Sequence, residues 1–254
     1  MKQSLLLIGL AILITGCTTT MTPSTSFTQF DNDAKAGECF VKPGVAVLRR
    51  PDQAPYDFSR EYECVHAPDW QVSNDSQRIE MRQQLDHDGY GYDLISTIEL
   101  SDTDASFVSR HHMTNTGSKL IYQFHYSHNF ITMGELFSVP GCGLEFPFTP
   151  MFDVEAHVPM QRDGTILKFN KAIPPSHDFF STLAGFGDSI SDNAFTLRNR
   201  ERGIELRVTG DCSVMRYHLF ATPRTICPEP FVEIDLAAGE TMSWQHRYEL
   251  ISGI

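Results

Sequence analysis

The sequence predicts an all-β fold, an antiparallel sandwich or barrel, from two observations. Glycine and proline recur every few residues, 17 and 14 times in 254, and stretches with the period of a helix are scarce. Between these breaks lie short runs of alternating apolar and polar residues, which are typical of strands with one buried face. Five such runs cover residues 165–170, 203–209, 213–221, 230–236 and 242–250. Many short strands separated by turns favour a sandwich or barrel.

The most regular strand is predicted within residues 119–134, KLIYQFHYSHNFITMG. Side chains alternate between the two faces of a strand. One face is predicted to carry Leu120, Tyr122, Phe124, Tyr126 and His128, and the other Gln123, His125, Ser127 and Asn129. His125 and His128 should therefore point in opposite directions, so that one of them can face a pocket but not easily both.

The turn before this strand is predicted to close a hairpin. Its residues 115–118, NTGS, include asparagine and glycine, which tolerate the positive φ of tight turns. Residues 105–114 are therefore expected to be the antiparallel partner of the strand that follows.

Length and charge limit the organisation of the chain and its partners. A chain of 254 residues can form one large β domain or two small ones. No linker rich in proline or serine divides its interior, which favours one domain. A formal net charge of −12 argues against nucleic acid or an anionic membrane surface as a partner.

The first residues are predicted to be a targeting segment. Lys2 precedes an apolar run at residues 5–14, and Gly16-Cys17 follows where cleavage is expected. This pattern resembles a bacterial lipobox, which implies cleavage before Cys17 and acylation of that cysteine in the cell envelope. An ordinary secretory signal is the alternative. The predicted organisation is a signal peptide at residues 1–16, a polar tether at 17–35 and a single domain at 36–254.

Five further cysteines, an odd number, leave at least one free thiol. An oxidising compartment would permit disulfides. Cys39 and Cys64 flank a predicted hairpin and are the first candidate pair; Cys142 with Cys227 is the second.

Two blocks resemble the aldose 1-epimerase, or galactose mutarotase-like, superfamily. The first is TNTGSKLIYQFHYSHNF, and the second is Ile226-Cys227-Pro228-Glu229-Pro230. The resemblance implies a large two-sheet sandwich that binds carbohydrate without a cofactor or metal. It also implies that His128 is the general acid and Glu229 the general base of sugar ring opening. A core histidine and a solvated loop carboxylate are the alternatives for these two residues.

Three further residues are candidates for substrate binding. Asp192, before Asn193 and Phe195, resembles the family's Asp-His-x-Phe block, whose aspartate bonds sugar hydroxyls; an Asx-type turn is the alternative. Asn129 adjoins the candidate acid. Tyr90 either stacks on a sugar face or packs in the core. This chain has Asn193 where the family often has histidine.

A metal site is not predicted, because Asp86, His87 and Asp88 are adjacent in one turn and the chain contains no CxxC pair. Three functions remain open: a sugar mutarotase, a carbohydrate-binding envelope lipoprotein without catalysis, and a structural lipoprotein that binds protein.

Overall fold

The computed structural model describes residues 34–54, 56–57, 60–132, 141–152 and 159–252. Within these ranges the chain is built of strands, with one short 3-10 helix at Ile190–Asp192 and no α-helix. The strands in chain order are β1 Cys39–Lys42, β2 Ala46–Arg49, β3 Glu63–His66, β4 Trp70–Asn74, β5 Arg78–His87, β6 Tyr90–Leu100, β7 Ser106–Asn115, β8 Ile121–Tyr126, β9 Cys142–Glu145, β10 Met151–Phe152, β11 Met160–Asp163, β12 Ile166–Phe169, β13 Phe179–Ala184, β14 Ala194–Asn199, β15 Ile204–Gly210, β16 Arg216–Ala221, β17 Ile226–Leu236 and β18 Thr241–Ser252. The prediction of an all-β fold is confirmed.

The strands form three sheets. A ten-stranded sheet has the order β11-β12-β9-β14-β15-β18-β7-β6-β5-β4, a five-stranded sheet has the order β10-β13-β16-β17-β8, and a small sheet has the order β1-β2-β3. Every pair in these sheets is antiparallel. The five alternating runs of the sequence lie in β12, β15, β16, β17 and β18, as predicted.

The apolar core lies between the two larger sheets. In one half, Leu144, Leu197 and Leu206 of the ten-stranded sheet pack with Tyr217 and Leu219 of the five-stranded sheet. In the other half, the small sheet joins them through a buried apolar set that includes Phe40 and Val47. Burying one face of each sheet in this way is what the alternating sequence pattern requires.

The predicted hairpin between β7 and β8 is wrong. β7 pairs with β6 and β18 in the ten-stranded sheet, whereas β8 pairs with β17 in the five-stranded sheet. The turn between them crosses from one sheet to the other. Buried Asn115 holds it, because its Nδ2 donates to the carbonyls of Lys119 and Leu236, each at 2.8 Å.

Glycine at position 117 serves close approach rather than a positive φ. A Cβ there would lie 2.4 Å from the backbone nitrogen of Gly91, so only glycine lets the two turns touch. The positive φ expected at 115–118 occurs instead at Asp88 and Gly89, between β5 and β6. These two residues make the hairpin turn, so the turn predicted at residues 86–88 is confirmed.

Neither of the two candidate disulfides, Cys39 with Cys64 and Cys142 with Cys227, is formed. Cys39 and Cys64 lie on β1 and β3, with β2 between them. Two strand spacings make about 9.5 Å, beyond the reach of a disulfide. Cys142 and Cys227 belong to opposite sheets.

The predicted signal peptide, the predicted acylation site Cys17 and most of the predicted tether lie outside the described residues. No helix among the residues that the structure describes is long and apolar enough to cross a membrane.

Candidate functional site

Glu229 lies on the outer face of the five-stranded sheet, the face turned away from the ten-stranded sheet. On β17 the even-numbered residues Val232, Ile234 and Leu236 point into the core. Cys227 and Glu229 are odd-numbered and therefore point outward. Glu229 is nevertheless only 3% exposed on this face. The strand thus presents a buried thiol and a buried carboxyl side by side, two residues apart.

Two prolines of β17 lie where the neighbouring strand β8 has already ended. β8 pairs with β17 only from Phe231 onward. The even-numbered backbone groups of β17 face that side, since Ile226 exchanges both hydrogen bonds with Ile131 there. The N–H groups that Pro228 and Pro230 lack would point to the side where β8 has already ended. The two prolines therefore cost no hydrogen bond to β8. The gap beside them holds the segment that carries His128.

His128 lies just beyond the end of β8 rather than within the predicted strand, which ends at Tyr126. Its ring reaches the β17 pair: its Nδ1 is 3.0 Å from Cys227 Sγ, and its Nε2 is 3.4 Å from Glu229 Oε1. The Cys227 thiol also donates to Glu229 Oε1 at 3.2 Å. We call His128, Cys227 and Glu229 the outer cluster.

Burial shifts all three groups of the outer cluster towards their uncharged forms. Desolvation raises the pKa of Glu229 to about 7, partly offset by the hydrogen bond from Cys227, and lowers the pKa of His128 to about 4. Desolvation and the nearby carboxylate hold the pKa of Cys227 well above its ordinary value. Between pH 4 and 7 the histidine and the carboxyl therefore hold one proton between them. That proton gives either a neutral pair or an ion pair, two tautomers of one state.

Aromatic rings surround the outer cluster. The His128 ring stacks on Phe130 with centroids 4.2 Å apart, and Phe220 meets it edge-on. Phe180, 59% exposed, extends this apolar surface along the same face of the sheet. Flat apolar rings beside polar groups suit the faces and hydroxyls of a sugar.

His218 is a member of the site that sequence reasoning missed. It lies directly opposite Glu229 in the register of β16 and β17, with its Nδ1 3.9 Å from Glu229 Oε2. Its ring packs against Phe180 and Phe231. The only signal in the sequence was the alternating run at 213–221, because identifying the residue opposite Glu229 required the strand register.

Comparison with known proteins finds structures of similar fold at low sequence identity. No protein-family model matches the chain, and no curated protein matches it. Solved structures do match, and the three described here have TM-scores of 0.50 to 0.52. A putative aldose 1-epimerase from Escherichia coli K12 is 14% identical with a TM-score of 0.51, and the match covers 90% of this chain and 84% of that one.

Two further structures agree. An aldose epimerase homologue from C. elegans is 13% identical with a TM-score of 0.52, covering 73% of this chain and 69% of that one. A galactose 1-epimerase from Lactobacillus acidophilus NCFM is 16% identical with a TM-score of 0.50, covering 74% and 68%. The chain has the galactose mutarotase-like fold. At these identities the comparison establishes the fold alone.

Within this mutarotase-like fold, Asn129 and Tyr90 are engaged in the core. The Asn129 Oδ1 accepts a 2.8 Å hydrogen bond from Tyr248, and its Nδ2 lies 3.5 Å from the Pro228 carbonyl. Tyr90 is 9% exposed with the Lys119 ammonium over its ring. Lys119 lies just before the end of β8 that pairs with Leu236, seven residues or roughly 23 Å along β17 from Glu229, so Tyr90 is far from the outer cluster.

Asp192 is engaged in a turn. Its Oδ2 accepts a 2.6 Å hydrogen bond from the backbone of Gly187, and it ends the short 3-10 helix before β14 of the ten-stranded sheet. Within the described chain it makes no hydrogen bond to the outer cluster. The contacts of Asn129, Tyr90 and Asp192 with a sugar remain predictions. Of the five candidates, the structure brings His128 and Glu229 into contact and places Asn129 beside them, through a backbone hydrogen bond to Cys227.

A concave region lies on the outer face of the ten-stranded sheet, with a cavity of about 210 Å³. Three of its charged lining side chains are in ion pairs: Arg198 contacts Glu145 and also Glu205, and Lys168 contacts Asp163. Among the described residues, this region therefore does not hold an acid and a base together in a buried setting. The outer cluster is therefore the better candidate site in the mutarotase-like fold.

Proposed function

We propose that this protein binds carbohydrate and interconverts sugar anomers, as an aldose 1-epimerase does. The observation that carries the proposal is the 3.4 Å contact between His128 Nε2 and Glu229 Oε1 on the outer face of the five-stranded sheet. The mutarotase-like fold supports it, because the solved structures with this fold include proteins described as aldose and galactose epimerases.

The chemistry needs one proton acceptor and one proton donor. Glu229 takes the proton of the C1 hydroxyl while His128 protonates the ring oxygen, and the bond between C1 and that oxygen breaks. The aldehyde rotates about its bond to C2, and the same two groups reverse their roles as the ring closes on the other face. The single proton held by the pair is the one that the reaction needs, in its ion-pair tautomer.

The position of Glu229 suits the role of base. Burial makes its carboxylate a better proton acceptor than an exposed one. The prolines on either side fix the backbone that carries it, so the carboxyl does not have to be ordered when substrate binds. Phe130, Phe220 and Phe180 provide the apolar surface on which a pyranose ring rests.

The proposal is tested by following exchange between α and β anomers by two-dimensional exchange NMR. The purified full-length chain, in EDTA, is added to a panel of aldoses together with Glu229→Gln and His128→Ala. Acceleration by the wild type that both variants lose is expected. Glu233→Gln is the matched control, because Glu233 lies on the same face of β17 but hydrogen-bonds Tyr122 at 2.5 Å. Equal acceleration by wild type and both variants would contradict the assignment.

A non-catalytic carbohydrate-binding protein is the second candidate. The observation that favours it is that Asp192, whose counterpart in the family bonds sugar hydroxyls, is engaged in a turn of its own. In the same experiment this alternative gives sugar-induced shifts without any faster exchange.

Attachment to the cell envelope is a separate proposal that rests on the sequence alone. Acylation at Cys17 is tested by mass spectrometry of the amino-terminal peptide from the wild type and Cys17→Ser. A processed peptide that carries acyl chains only in the wild type is expected, and an unmodified Cys17 would contradict it.

A further inference from the structure

We propose that His128, Cys227 and Glu229 bind one Zn²⁺ ion. The proposal concerns the same residues as the proposed function but does not rest on it, since a zinc site can exist without any action on sugars. Zinc in proteins is bound by thiolate, imidazole and carboxylate, and the outer cluster offers one of each. Their donor atoms all lie within 4.8 Å of one another.

The separations of these atoms are close to those of a tetrahedral zinc site. Ordinary zinc bond lengths place a sulfur and a nitrogen, or a nitrogen and an oxygen, about 3.4–3.6 Å apart. Cys227 Sγ lies 3.0 Å from His128 Nδ1 and 3.2 Å from Glu229 Oε1, whereas the 3.4 Å contact to Glu229 is made by the other ring nitrogen, Nε2. A histidine gives one nitrogen to the ion, so the His128 ring has to turn towards it while the thiol and the carboxyl separate by a few tenths of an ångström.

The backbone holds two of the donors in place before an ion arrives. Cys227 and Glu229 are alternate residues on one face of β17, which is paired with β16 along this stretch. His128 comes from the segment beside the two prolines and is the movable donor. Its side chain is 23% exposed, whereas that of Glu229 is 4% exposed. The side of the cluster nearest His128 therefore admits both the ion and a fourth, exchangeable ligand from solvent.

The donor set selects the class of ion. Calcium and magnesium prefer oxygen ligands alone, so a site with one thiol and one imidazole disfavours them. Binding replaces the thiol proton of Cys227 by the metal and releases that proton to solvent. An occupied site cannot also carry out the proposed acid–base reaction, because the ion takes up the electron pairs of Glu229 and His128. Zinc would thus act as a reversible inhibitor.

The decisive measurement is zinc-edge X-ray absorption of the untagged wild-type chain loaded with one equivalent of Zn²⁺. One sulfur at about 2.3 Å and the remaining ligands nitrogen or oxygen at about 2.0–2.1 Å are expected. A spectrum without a sulfur ligand, or no retention of zinc after gel filtration, would overturn the proposal. This experiment needs no variant, so it does not depend on any substituted protein folding.

Variants assign the sulfur to one cysteine. Co²⁺ replaces zinc in sites of this kind and gives a near-ultraviolet thiolate-to-metal absorption band. Cys227→Ser is expected to abolish the band. Cys142→Ser, a second buried cysteine, and Cys64→Ser, an exposed cysteine two residues from His66, are expected to retain it. Loss of the band in Cys64→Ser with retention in Cys227→Ser would place the ion at the surface and overturn the proposal.

The two proposals fail separately. Metal binding is measured without sugar, and anomer exchange is measured in EDTA. If both hold, Zn²⁺ abolishes the exchange activity of the wild type and EDTA restores it.

Discussion

The two sides of the five-stranded sheet each carry buried histidines, and they differ in the groups that those histidines touch. On the outer side, His128 contacts a thiol and a carboxyl. On the inner side, His111, His125 and His246 pack with Trp244 between the sheets, and we call these four residues the inner cluster. His125 and His128 are only three residues apart, and they point to opposite sides as the alternation of a strand predicts.

The inner cluster contacts neutral groups. His125 Nδ1 accepts from the Trp244 indole at 3.0 Å, His111 Nδ1 lies 2.9 Å from the Ser96 hydroxyl, and His246 Nε2 lies 3.1 Å from Asn193 Oδ1. Desolvation lowers the pKa of His125 to about 3 and that of His246 to about 4. Burial thus perturbs the histidines on both sides. The outer cluster combines that perturbation with a carboxyl in direct contact and access to solvent, and this combination favours it as the candidate site.

The largest expected effect separates the two neighbouring histidines by function. His128→Ala should lower the rate of anomer exchange by about 10²–10⁴-fold, the usual contribution of a general acid, with little loss of stability. His125→Ala should leave the rate per folded molecule unchanged. It should lower the free energy of unfolding by about 1–3 kcal/mol, because it leaves the Trp244 indole N–H buried without its acceptor.

Exchange NMR gives the rates and urea unfolding gives the stabilities. Equal losses of rate in the two variants would contradict this difference, because they would mean that the inner cluster also takes part in the reaction. Trp244→Phe serves as a control for the inner cluster, because it removes the indole donor while keeping an aromatic ring. It should match His125→Ala in leaving the rate unchanged.

Acid is expected to destabilise the protein through the inner cluster. Between pH 6.5 and 4 an unfolded histidine binds a proton, whereas native His125 and His246 do not, so the free energy of unfolding falls as the pH falls. Each contributes a slope of about 1.4 kcal/mol per pH unit. His125 and His246 face each other and both face His111. His246 also faces the carboxylate of Asp211.

Glu229 contributes with the opposite sign. Its folded pKa is raised, so the native state binds a proton between pH 7 and 4.5 that the unfolded state lacks, and this contribution adds stability as the pH falls. In EDTA, His246→Gln should flatten the acid dependence of urea unfolding and Glu229→Gln should steepen it. Slopes that are unaltered in both variants would contradict this assignment.

A smaller effect is expected at the thiol of the outer cluster. Cys227 touches both His128 and Glu229, so its removal loosens their relative position without removing either reactive group. Cys227→Ala should lower the rate of exchange about tenfold, the equivalent of one hydrogen bond of about 1.4 kcal/mol. Cys227→Ser, which keeps a donor of similar size, should recover part of the loss. Full activity in the alanine variant would show that the thiol does not position the pair.

The sequence predicts some features of this structure well, for physical reasons that are local. Alternation of apolar and polar residues predicted β12, β15, β16, β17 and β18, and it separated His125 from His128. The cross-sheet turn at Asn115 was not predictable in this way, because asparagine followed by glycine has the same chemistry in a hairpin. Whether the chain turns back or crosses to the other sheet depends on buried contacts with Leu236 and Gly91. These residues are more than a hundred and more than twenty positions away in the sequence.

The same limit applies to the candidate site. His128 and Glu229 were predicted from two short blocks, and the structure places them in contact. The register of β16 against β17, which brings His218 opposite Glu229, is a long-range property that no local pattern encodes. Cys227 was considered only for a disulfide, because its contacts with both reactive groups follow from the β17 face and the end of β8 together.

The smallest expected effect tests the remaining prediction from the sequence, a sugar contact at Asp192. The structure uses its carboxylate to hold the Gly187 backbone. Asp192→Asn keeps an oxygen acceptor and should cost well under 1 kcal/mol, whereas Asp192→Ala removes it and should cost about 0.5–1.5 kcal/mol. Neither should change the rate of exchange or the affinity for sugar measured by NMR titration. A loss of sugar affinity in both variants with unchanged stability would show that a carboxylate from the ten-stranded side reaches the substrate of the outer cluster. It would also end the separation of chemistry and packing between the two sides of the sheet.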